Sequence, residues 1–466
     1  MSAPADIVRL VEDQRWQMPR NIHDQLTEAI YGEAARIAER SVGSRGTSRR
    51  LDWQNRMDRL LTGPWTGLPI MALAFAIVLW LTISGANVPS GMLASLLIDT
   101  LYPPMHAFAH ANLWPWLAGI LVDGMYLATA WVISVMLPPM AIFFPMFTLL
   151  EDLGYLPRVA FNLDRLFQRV GAHGKQSLTM AMGYGCNAAG VIAARVIDSP
   201  RERLIAIITN NFALCNGRWP TQILIATIFL GALAPAAFAG VISTLAVFGV
   251  AALGLLLTLG TSWVLSRTVL RGEASTFSLE LPPYRPPNVL RTLYTSLIDR
   301  TLFVLWRAVV FAMPAGALIW LVANVHIGDQ SIAAMVTGGL DPVAVFFGLN
   351  GVILLAYIIA IPANEIVIPT VLMLTVLLSG QPEIGGGAGV MFETDDASVK
   401  TLLTGGGWTV LTGVCLMLFS LCHNPCSTTL YTIYKETRSW KWTALSAAMP
   451  TVIGFVLCFL VALVWR

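Results

Sequence analysis

The residues best suited to chemistry lie where apolar stretches of the sequence are interrupted. The first interruption is the motif Gly183-Tyr184-Gly185-Cys186-Asn187, inside an apolar stretch at 175–195. Its glycines permit a sharp turn, and a helix that breaks there frees backbone carbonyls. A thiolate and an amide oxygen beside free carbonyls suit a borderline divalent metal better than magnesium or calcium. The alternative is that Cys186 is only a small buried hydrophobe.

The second interrupted stretch, 343–379, contains a carboxylate. Glu365 follows Asn364 and Pro362 in the middle of this apolar segment. Placing a carboxylate inside a membrane is costly, so Glu365 indicates a functional site. The alternative is a structural glutamate that is neutral or paired with the buried Arg218.

Two further motifs predict broken spans. In Cys215-Asn216-Gly217-Arg218-Trp219-Pro220 the proline removes a backbone donor, and Cys215 could face a cavity. In Cys422-His423-Asn424-Pro425-Cys426 the two cysteines are spaced i, i+4 and share a helix face. The second motif resembles metal-ligand chemistry without being a closed zinc site. For these cysteines the alternative is packing.

Two pairs of polar residues lie near predicted membrane boundaries. His106 and His110 are four residues apart, and they either capture metal weakly or lie at the lipid interface beside tryptophans. Glu151 and Asp152 close an apolar stretch, where they either form a cation vestibule or mark the membrane boundary.

The composition places all of these residues in a polytopic membrane protein. The 466 residues are 56% hydrophobic and 12% charged, with a mean hydropathy of +0.67. Soluble domains carry roughly 25% charged residues. The net charge of +2 gives no pull toward nucleic acid. The six cysteines lie in apolar stretches, which argues against a secreted disulfide framework.

The apolar stretches predict seven spans and two re-entrant hairpins. The spans are expected near 68–86, 118–150, 204–231, 238–266, 302–324, 406–434 and 441–464. Both flanks of 175–195 are basic, which places both in the cytoplasm, whereas the flanks of 343–379 carry only Lys400. We therefore predict an all-α protein with a cytoplasmic N-terminus and two inverted repeats, each containing a broken-helix hairpin. The hairpin tips would bring together Cys186, Asn187, Asn364 and Glu365.

At these motifs the chain resembles the membrane part of the FeoB family of ferrous iron transporters. The matching strings include GYGCNAAGVIAARVIDSPRERL at 183–204, ALCNGRWP at 213–220 and PANE at 362–365. The resemblance covers about 24–466. It implies import of ferrous iron across the bacterial inner membrane, with Cys186 on the iron path. The candidate metal contacts are Cys186, Asn187, Asn364, Glu365, Cys215, Cys422 and Cys426.

The resemblance also divides the chain into regions. We expect a polar helical N-terminal region, a first transmembrane helix with an external segment, a first Gate-type repeat, a connecting helix with a cytoplasmic loop, a second inverted Gate-type repeat and a C-terminal transmembrane helix. Their respective boundaries are 1–67, 68–117, 118–231, 232–301, 302–434 and 435–466.

The sequence departs from the family pattern in two ways. Ala188 follows the Gly-Cys-Asn motif where a nearby proline is usual, and no GTP-binding domain or phosphate-binding loop is present. We therefore expect the chain to bind no nucleotide and to act as the permease of a split system. Its expected partners are a separate soluble GTP-binding protein, a small Feo-type accessory protein and the lipid bilayer. A homo-oligomer is also possible.

Three other functions remain open from the residues alone. Gate-type repeats also resemble nucleoside carriers, so the substrate could be a small organic molecule. The cysteines could instead serve a membrane thiol redox sensor or enzyme. A non-transporting scaffold would leave Glu365 unexplained.

Overall fold

The structure is a computed structural model that describes residues 22–41, 49–63, 65–233, 235–271, 284, 288–379 and 396–466. The described residues are almost entirely helical, and their single hairpin of strands, β1 (His326–Ile327) and β2 (Gln330–Ser331), is antiparallel. The predicted all-α membrane fold is confirmed.

Eighteen helical elements make up the described chain. In order they are α1 (Ile22–Ser41), α2 (Arg49–Leu61), α3 (Gly67–Asn112), α4 (Pro115–Asp152), α5 (Tyr155–Arg169), α6 (Gln176–Gly185), α7 (Asn187–Ala193), α8 (Pro200–Thr209), α9 (Trp219–Leu233), α10 (Ala236–Arg267), α11 (Val289–Asn324), α12 (Ile332–Phe346), α13 (Gly351–Ile359), α14 (Asn364–Ser379), α15 (Asp396–Gly405), α16 (Val410–Cys422), α17 (Ser427–Thr437) and α18 (Trp440–Trp465).

Six helices in the described part are long and apolar enough to cross a membrane: α3, α4, α10, α11, α18 and the α16–α17 pair taken as one. The predicted span 204–231 is instead two shorter helices, α8 and α9, with a break between them. Proline and glycine interrupt it where the motif indicated. Helix α3 runs 46 residues, about 69 Å of helix, so it is far longer than a 30 Å hydrocarbon core requires. The predicted external segment 87–117 is therefore largely helical.

The two ends of the stretch at 175–195 lie close together. Helices α6 and α7 pack against each other around Cys186. At the open end of this hairpin, Lys175 Nζ lies 3.0 Å from Asp198 Oδ2, and this hydrogen bond lowers the pKa of Asp198. The later stretch is bent as well, since α12 and α13 meet at 112°. The inverted symmetry between the repeats 118–231 and 302–434 stays a prediction.

The polar helix α2 is fixed to α5 by a compact joint. The buried Arg158 guanidinium donates from Nε to Asp58 Oδ1 at 3.0 Å and from Nη1 to the Gly154 carbonyl at 2.6 Å. Tyr284 donates to the same Asp58 oxygen at 2.7 Å, and its ring lies 4.0 Å from the Arg158 guanidinium carbon. Burial and the Asp58 hydrogen bond raise the pKa of Tyr284 to about 12, so its phenol remains a donor at neutral pH.

At the opposite end of the molecule, α4 and α11 touch backbone to backbone. A Cβ added at Gly124 would lie 2.8 Å from the Gly316 carbonyl oxygen, and the Trp320 ring covers Gly119. Small residues allow membrane helices to approach this closely. We call this end, which holds the α3–α4 junction and the strand hairpin, the distal end, and the end that holds α5 the α5 face.

The re-entrant hairpin predicted at 175–195 can be tested by the accessibility of introduced cysteines to a thiol reagent. Arg169 and Asp198 are exposed residues on either side of this hairpin. We expect cysteines introduced at Arg169→Cys and Asp198→Cys to react with an impermeant thiol reagent from the same side of sealed vesicles. Asn112→Cys, at the distal end, should react only from the other side. Labelling of Arg169→Cys and Asp198→Cys from opposite sides would mean that 175–195 crosses the membrane.

Candidate functional site

Two helix breaks at the centre of the molecule have the same backbone conformation. Cys186 lies between α6 and α7 with φ −152° and ψ 122°, and Ala363 lies before α14 with φ −151° and ψ 122°. Each is followed directly by an asparagine, Asn187 or Asn364. The two predicted interruptions therefore share a local geometry although their flanking sequences differ.

Each of these breaks is bonded to a second break. The Asn216 N–H, between α8 and α9, donates to the Gly185 carbonyl at 3.1 Å. The Ser427 N–H, which opens α17, donates to the Ile361 carbonyl at 2.9 Å. The four interruptions thus form two bonded pairs, and each pair satisfies backbone groups that a broken helix leaves free.

The Arg218 side chain joins the two pairs. Its guanidinium is 1% exposed and donates four hydrogen bonds. The acceptors are the carbonyls of Asn211, Leu421 and His423 and the side-chain oxygen of Asn211, at 2.7–3.2 Å. These carbonyls lie at the ends of broken helices, where the backbone carries partial negative charge. Among the described residues, Glu365 is not within ion-pair distance of Arg218, so the suspected Arg218–Glu365 salt bridge is absent there.

A chain of polar groups runs from Asn211 to Asn364, the asparagine of the second break. Asn211 donates to the His423 carbonyl at 2.7 Å, and His423 Nε2 lies 3.0 Å from Asn364 Oδ1. Asn364 also donates to Cys215 Sγ at 3.8 Å. Asn187, at the first break, is held separately, because its amide fits best when it donates to the Gly183 and Ala213 carbonyls at 3.0 and 3.2 Å.

His423 has the geometry of a ligand although the sequence analysis did not include it among the metal contacts. Its Nδ1 lies 2.8 Å from the Ser420 carbonyl. The neutral ring carries one proton, yet both of its nitrogens face oxygen acceptors, since Nε2 lies 3.0 Å from Asn364 Oδ1. Nε2 can offer a lone pair to a metal when the proton is on Nδ1 and the Asn364 amide turns its NH2 group toward the ring. The sequence feature that could have identified His423 as a metal contact is its position inside a Cys-His-Asn-Pro-Cys motif that breaks a span.

Three cysteines and the carboxylate also converge here. Cys186 lies within electrostatic range of Cys215 and Cys426, and both of these lie within range of Glu365. Glu365 rests on Gly217, where an added Cβ would be 2.5 Å from the carboxylate oxygen Oε1. Glu365 and Cys426 are partly exposed, whereas Cys186 and Cys215 are buried.

Cys422 lies apart from this group. It is fully buried and packs against Gly454 of α18, so its surroundings favour the packing alternative. The remaining candidates are near one another without forming a tight cage. Within the described chain, the group of His, Cys, Asp and Glu whose ligand atoms all lie within 4.8 Å of one another is His106, His110 and Asp123, at the distal end.

A separate large cavity has the wrong chemistry for a polar organic substrate. It encloses about 830 Å³ between α3, α5, α6 and α10. Its lining is nearly all apolar, with side chains such as Phe75, Phe147 and Val247. A nucleoside would need several hydrogen-bonding groups at fixed positions.

Comparisons with known proteins bear on the same region. A Gate family model described as nucleoside recognition matches 133–229, which includes Cys186 and Arg218, and one described as ferrous iron transport protein B C terminus matches 247–299. The Fe(2+) transporter FeoB of Staphylococcus aureus (strain COL) is 28% identical over 414 residues, covering 88% of this chain and 58% of the relative. The chain is similar to FeoB transporters over most of its length.

Other FeoB relatives align over similar lengths. The Fe(2+) transporter FeoB of Campylobacter jejuni is 26% identical over 87% of this chain and 64% of the relative. A Porphyromonas gingivalis Fe(2+) transport protein A/Fe(2+) transporter FeoB fusion protein is 24% identical over 73% of this chain and 44% of the relative. The chain thus spans about three fifths of the length of the Staphylococcus FeoB. No solved structure matches the chain.

The role of Arg218 can be tested by the thermal stability of variants. Arg218→Ala leaves at least the Asn211 and Leu421 carbonyls without their donor, at about 1–3 kcal/mol each. We expect its melting temperature in detergent to fall by about 5 °C or more. Arg218→Lys keeps the charge but loses the planar guanidinium with its several donors. Its melting temperature should therefore lie between those of the parent protein and of Arg218→Ala.

The matched control is Arg267→Ala, which removes an exposed arginine from the end of α10. It should melt like the parent protein. Equal melting temperatures for Arg218→Ala and Arg267→Ala would show that the helix breaks do not depend on Arg218.

Proposed function

We propose that the chain carries Fe(II) across the bacterial inner membrane, inward, through the centre where its four helix breaks meet. The observation that carries this proposal is the convergence of thiol, imidazole, amide and carboxylate groups on broken helices at membrane depth. Irregular backbone is tolerated at such depth only where it is buried in protein or lines a cavity. We take Fe(II) as the substrate because the relatives are named Fe(2+) transporters.

The donor chemistry fits Fe(II) better than a hard cation. Thiol and imidazole groups prefer borderline and soft metals, whereas magnesium and calcium prefer oxygen donors. In this proposal Glu365 supplies the charge that attracts a dication losing its water. Cys186, Cys215, Cys426 and His423 Nε2 supply soft donors, and Asn187, Asn364 and free carbonyls supply oxygens.

The loose spacing of these groups also favours transport over storage. The central donors are neighbours, yet no three His, Cys, Asp or Glu groups among them in the described chain lie within 4.8 Å of each other. A conducting site must bind an ion well enough to admit it and weakly enough to release it. Donors that close around the ion only transiently meet that requirement.

We further propose that a separate GTP-binding protein and a small accessory protein act through the polar helices α1 and α2. The Porphyromonas relative, whose name joins an Fe(2+) transport protein A and an Fe(2+) transporter FeoB in one chain, supports an accessory partner. The joint of Asp58, Arg158 and Tyr284 would pass a movement of α2 to α5 and so to the hairpin at Cys186. The chain itself binds no nucleotide in this proposal.

The central site is tested by uptake of radioactive iron into proteoliposomes that contain the purified chain. Glu365→Gln should lower Fe(II) uptake roughly tenfold or more, because removing a buried anion removes the main attraction for a dication. Cys186→Ser should lower it less. Both proteins should keep the parent's melting temperature.

Cys422→Ser is the control for these variants, since Cys422 packs outside the group and its loss should leave uptake near that of the parent. Parental uptake in both Glu365→Gln and Cys186→Ser would remove the central breaks from the iron path.

The joint at α2 is tested with Asp58→Asn. The neutral amide weakens the pair with Arg158, so we expect GTP-stimulated uptake in cells to fall several-fold. Uptake by the purified chain alone in proteoliposomes should not change. Asp329→Asn, at an exposed position of the distal strand hairpin, is the matched control and should leave GTP-stimulated uptake unchanged. An equal loss of uptake in cells and in proteoliposomes would mean that Asp58 acts on the permease itself.

A further inference from the structure

Two histidines and an aspartate meet at the distal end, far from the central breaks. His110 Nε2 lies 3.1 Å from Asp123 Oδ2, and His106 Nε2 lies 3.6 Å from Asp123 Oδ1. The two imidazole rings are 4.2 Å apart between centroids. One ligand atom from each residue falls within 4.8 Å of the other two, so a single ion can touch all three.

The backbone positions these side chains on two different helices. His106 and His110 are spaced i, i+4 on α3, so they face the same direction. Asp123 comes from a π-helical turn, Gly119–Tyr126, at the start of α4. Single π-turns inside helices are frequent at functional sites, because they redirect side chains. The histidine spacing can be found in the sequence, whereas the aspartate that completes the group comes from the neighbouring helix.

The aspartate is held firmly before any ion binds. Its residue is 9% exposed, and the Tyr102 hydroxyl donates to its Oδ1 at 2.9 Å. The next residue, Gly124, is in contact with the backbone of Gly316, which fixes this turn against α11. Metal ligands are commonly oriented by such outer hydrogen bonds. The histidine side chains remain 44% and 35% exposed, so an ion can reach them.

We propose that His106, His110 and Asp123 form a binding site for a borderline divalent cation, separate from the central breaks. Two imidazoles and one carboxylate are the donor set of open, three-ligand zinc sites and of non-haem iron sites. Such a site keeps at least one position open for water. It therefore binds an ion without enclosing it.

The distance between the two sites excludes a shared ion. Asp123 precedes Phe143 by twenty positions on α4, about 30 Å of helix, and Phe143 packs on Gly185 beside the first break. If the chain transports Fe(II) as proposed above, the distal site is where the ion is first captured, and this role rests on the proposed function. The binding of a cation at the distal site does not rest on it, and the experiment below measures that binding.

The competing explanation is that the histidines only anchor the helix at the lipid interface. Trp114 and Trp116 are exposed nearby, as interfacial tryptophans are. Interfacial anchoring needs no aspartate between the two rings, and it predicts no metal affinity.

The test is a Co(II) titration of the purified full chain in detergent, followed by visible absorption and by equilibrium dialysis with Co(II) or Zn(II). We expect His106→Ala, His110→Ala and Asp123→Asn each to bind one ion fewer than the parent, or to bind it at least tenfold more weakly. Glu365→Gln should keep this ion, because it alters only the central site. His326→Ala, an exposed histidine at the strand hairpin, should bind like the parent.

Two outcomes overturn the proposal. One is parental stoichiometry and affinity in His106→Ala, a partly exposed position whose replacement should leave the fold intact. The other is loss of the same ion in Glu365→Gln. Loss of iron uptake in Glu365→Gln with retained distal binding would uphold both proposals. Normal distal binding together with no Fe(II) transport by the parent would overturn the proposed function alone.

Discussion

Backbone carbonyls that are released inside a membrane must find donors, and the centre of this protein depends on that constraint. Four interruptions of its helices leave carbonyl oxygens at a depth where water cannot compensate them. Arg218 donates to three of these carbonyls, on two different helices. The positive charge of one buried side chain therefore holds the broken helix ends together, and the donors around them are positioned as a consequence.

The same arrangement explains how a cation site can lie near a buried arginine. A free guanidinium beside Glu365 would repel a dication and neutralise the carboxylate. Here the guanidinium is directed at the negative ends of helices and at Asn211, whose side-chain oxygen it also contacts. The Glu365 carboxylate packs instead against Gly217, where an added Cβ would lie 2.5 Å from Oε1. In the proposed site, Glu365 is the charge that an ion meets, because the hydrogen bonds of the arginine go to helix carbonyls and to Asn211.

The sequence predicted the positions of the breaks better than their partners. Glycine, proline and asparagine are local signals, so the interruptions at Cys186, Pro362 and Pro425 could be found within a few residues. Span 204–231 was placed as one crossing, although its own Gly217 and Pro220 also indicated the break that divides it. Partners come from elsewhere in the chain: Leu421 and His423 are more than two hundred positions from Arg218. The alternative of an Arg218–Glu365 pair is not found among the described residues, because helix carbonyls take the hydrogen bonds of the guanidinium.

The backbone angles at Cys186 and Ala363 are nearly equal, so the two helix breaks differ in their side chains and not in their backbone conformation. Both breaks present an asparagine next to an extended residue, yet only the first carries a thiol at that residue. The first unit contributes Cys186, Cys215 and the arginine, and the second contributes Glu365, His423 and Cys426. A metal that contacts both units would therefore meet sulfur on one side and a carboxylate on the other. The second unit combines a carboxylate with imidazole and thiol donors, whereas the first offers thiols without a carboxylate. In the proposed transport path, movement of one unit against the other would therefore change the set of donors around the ion.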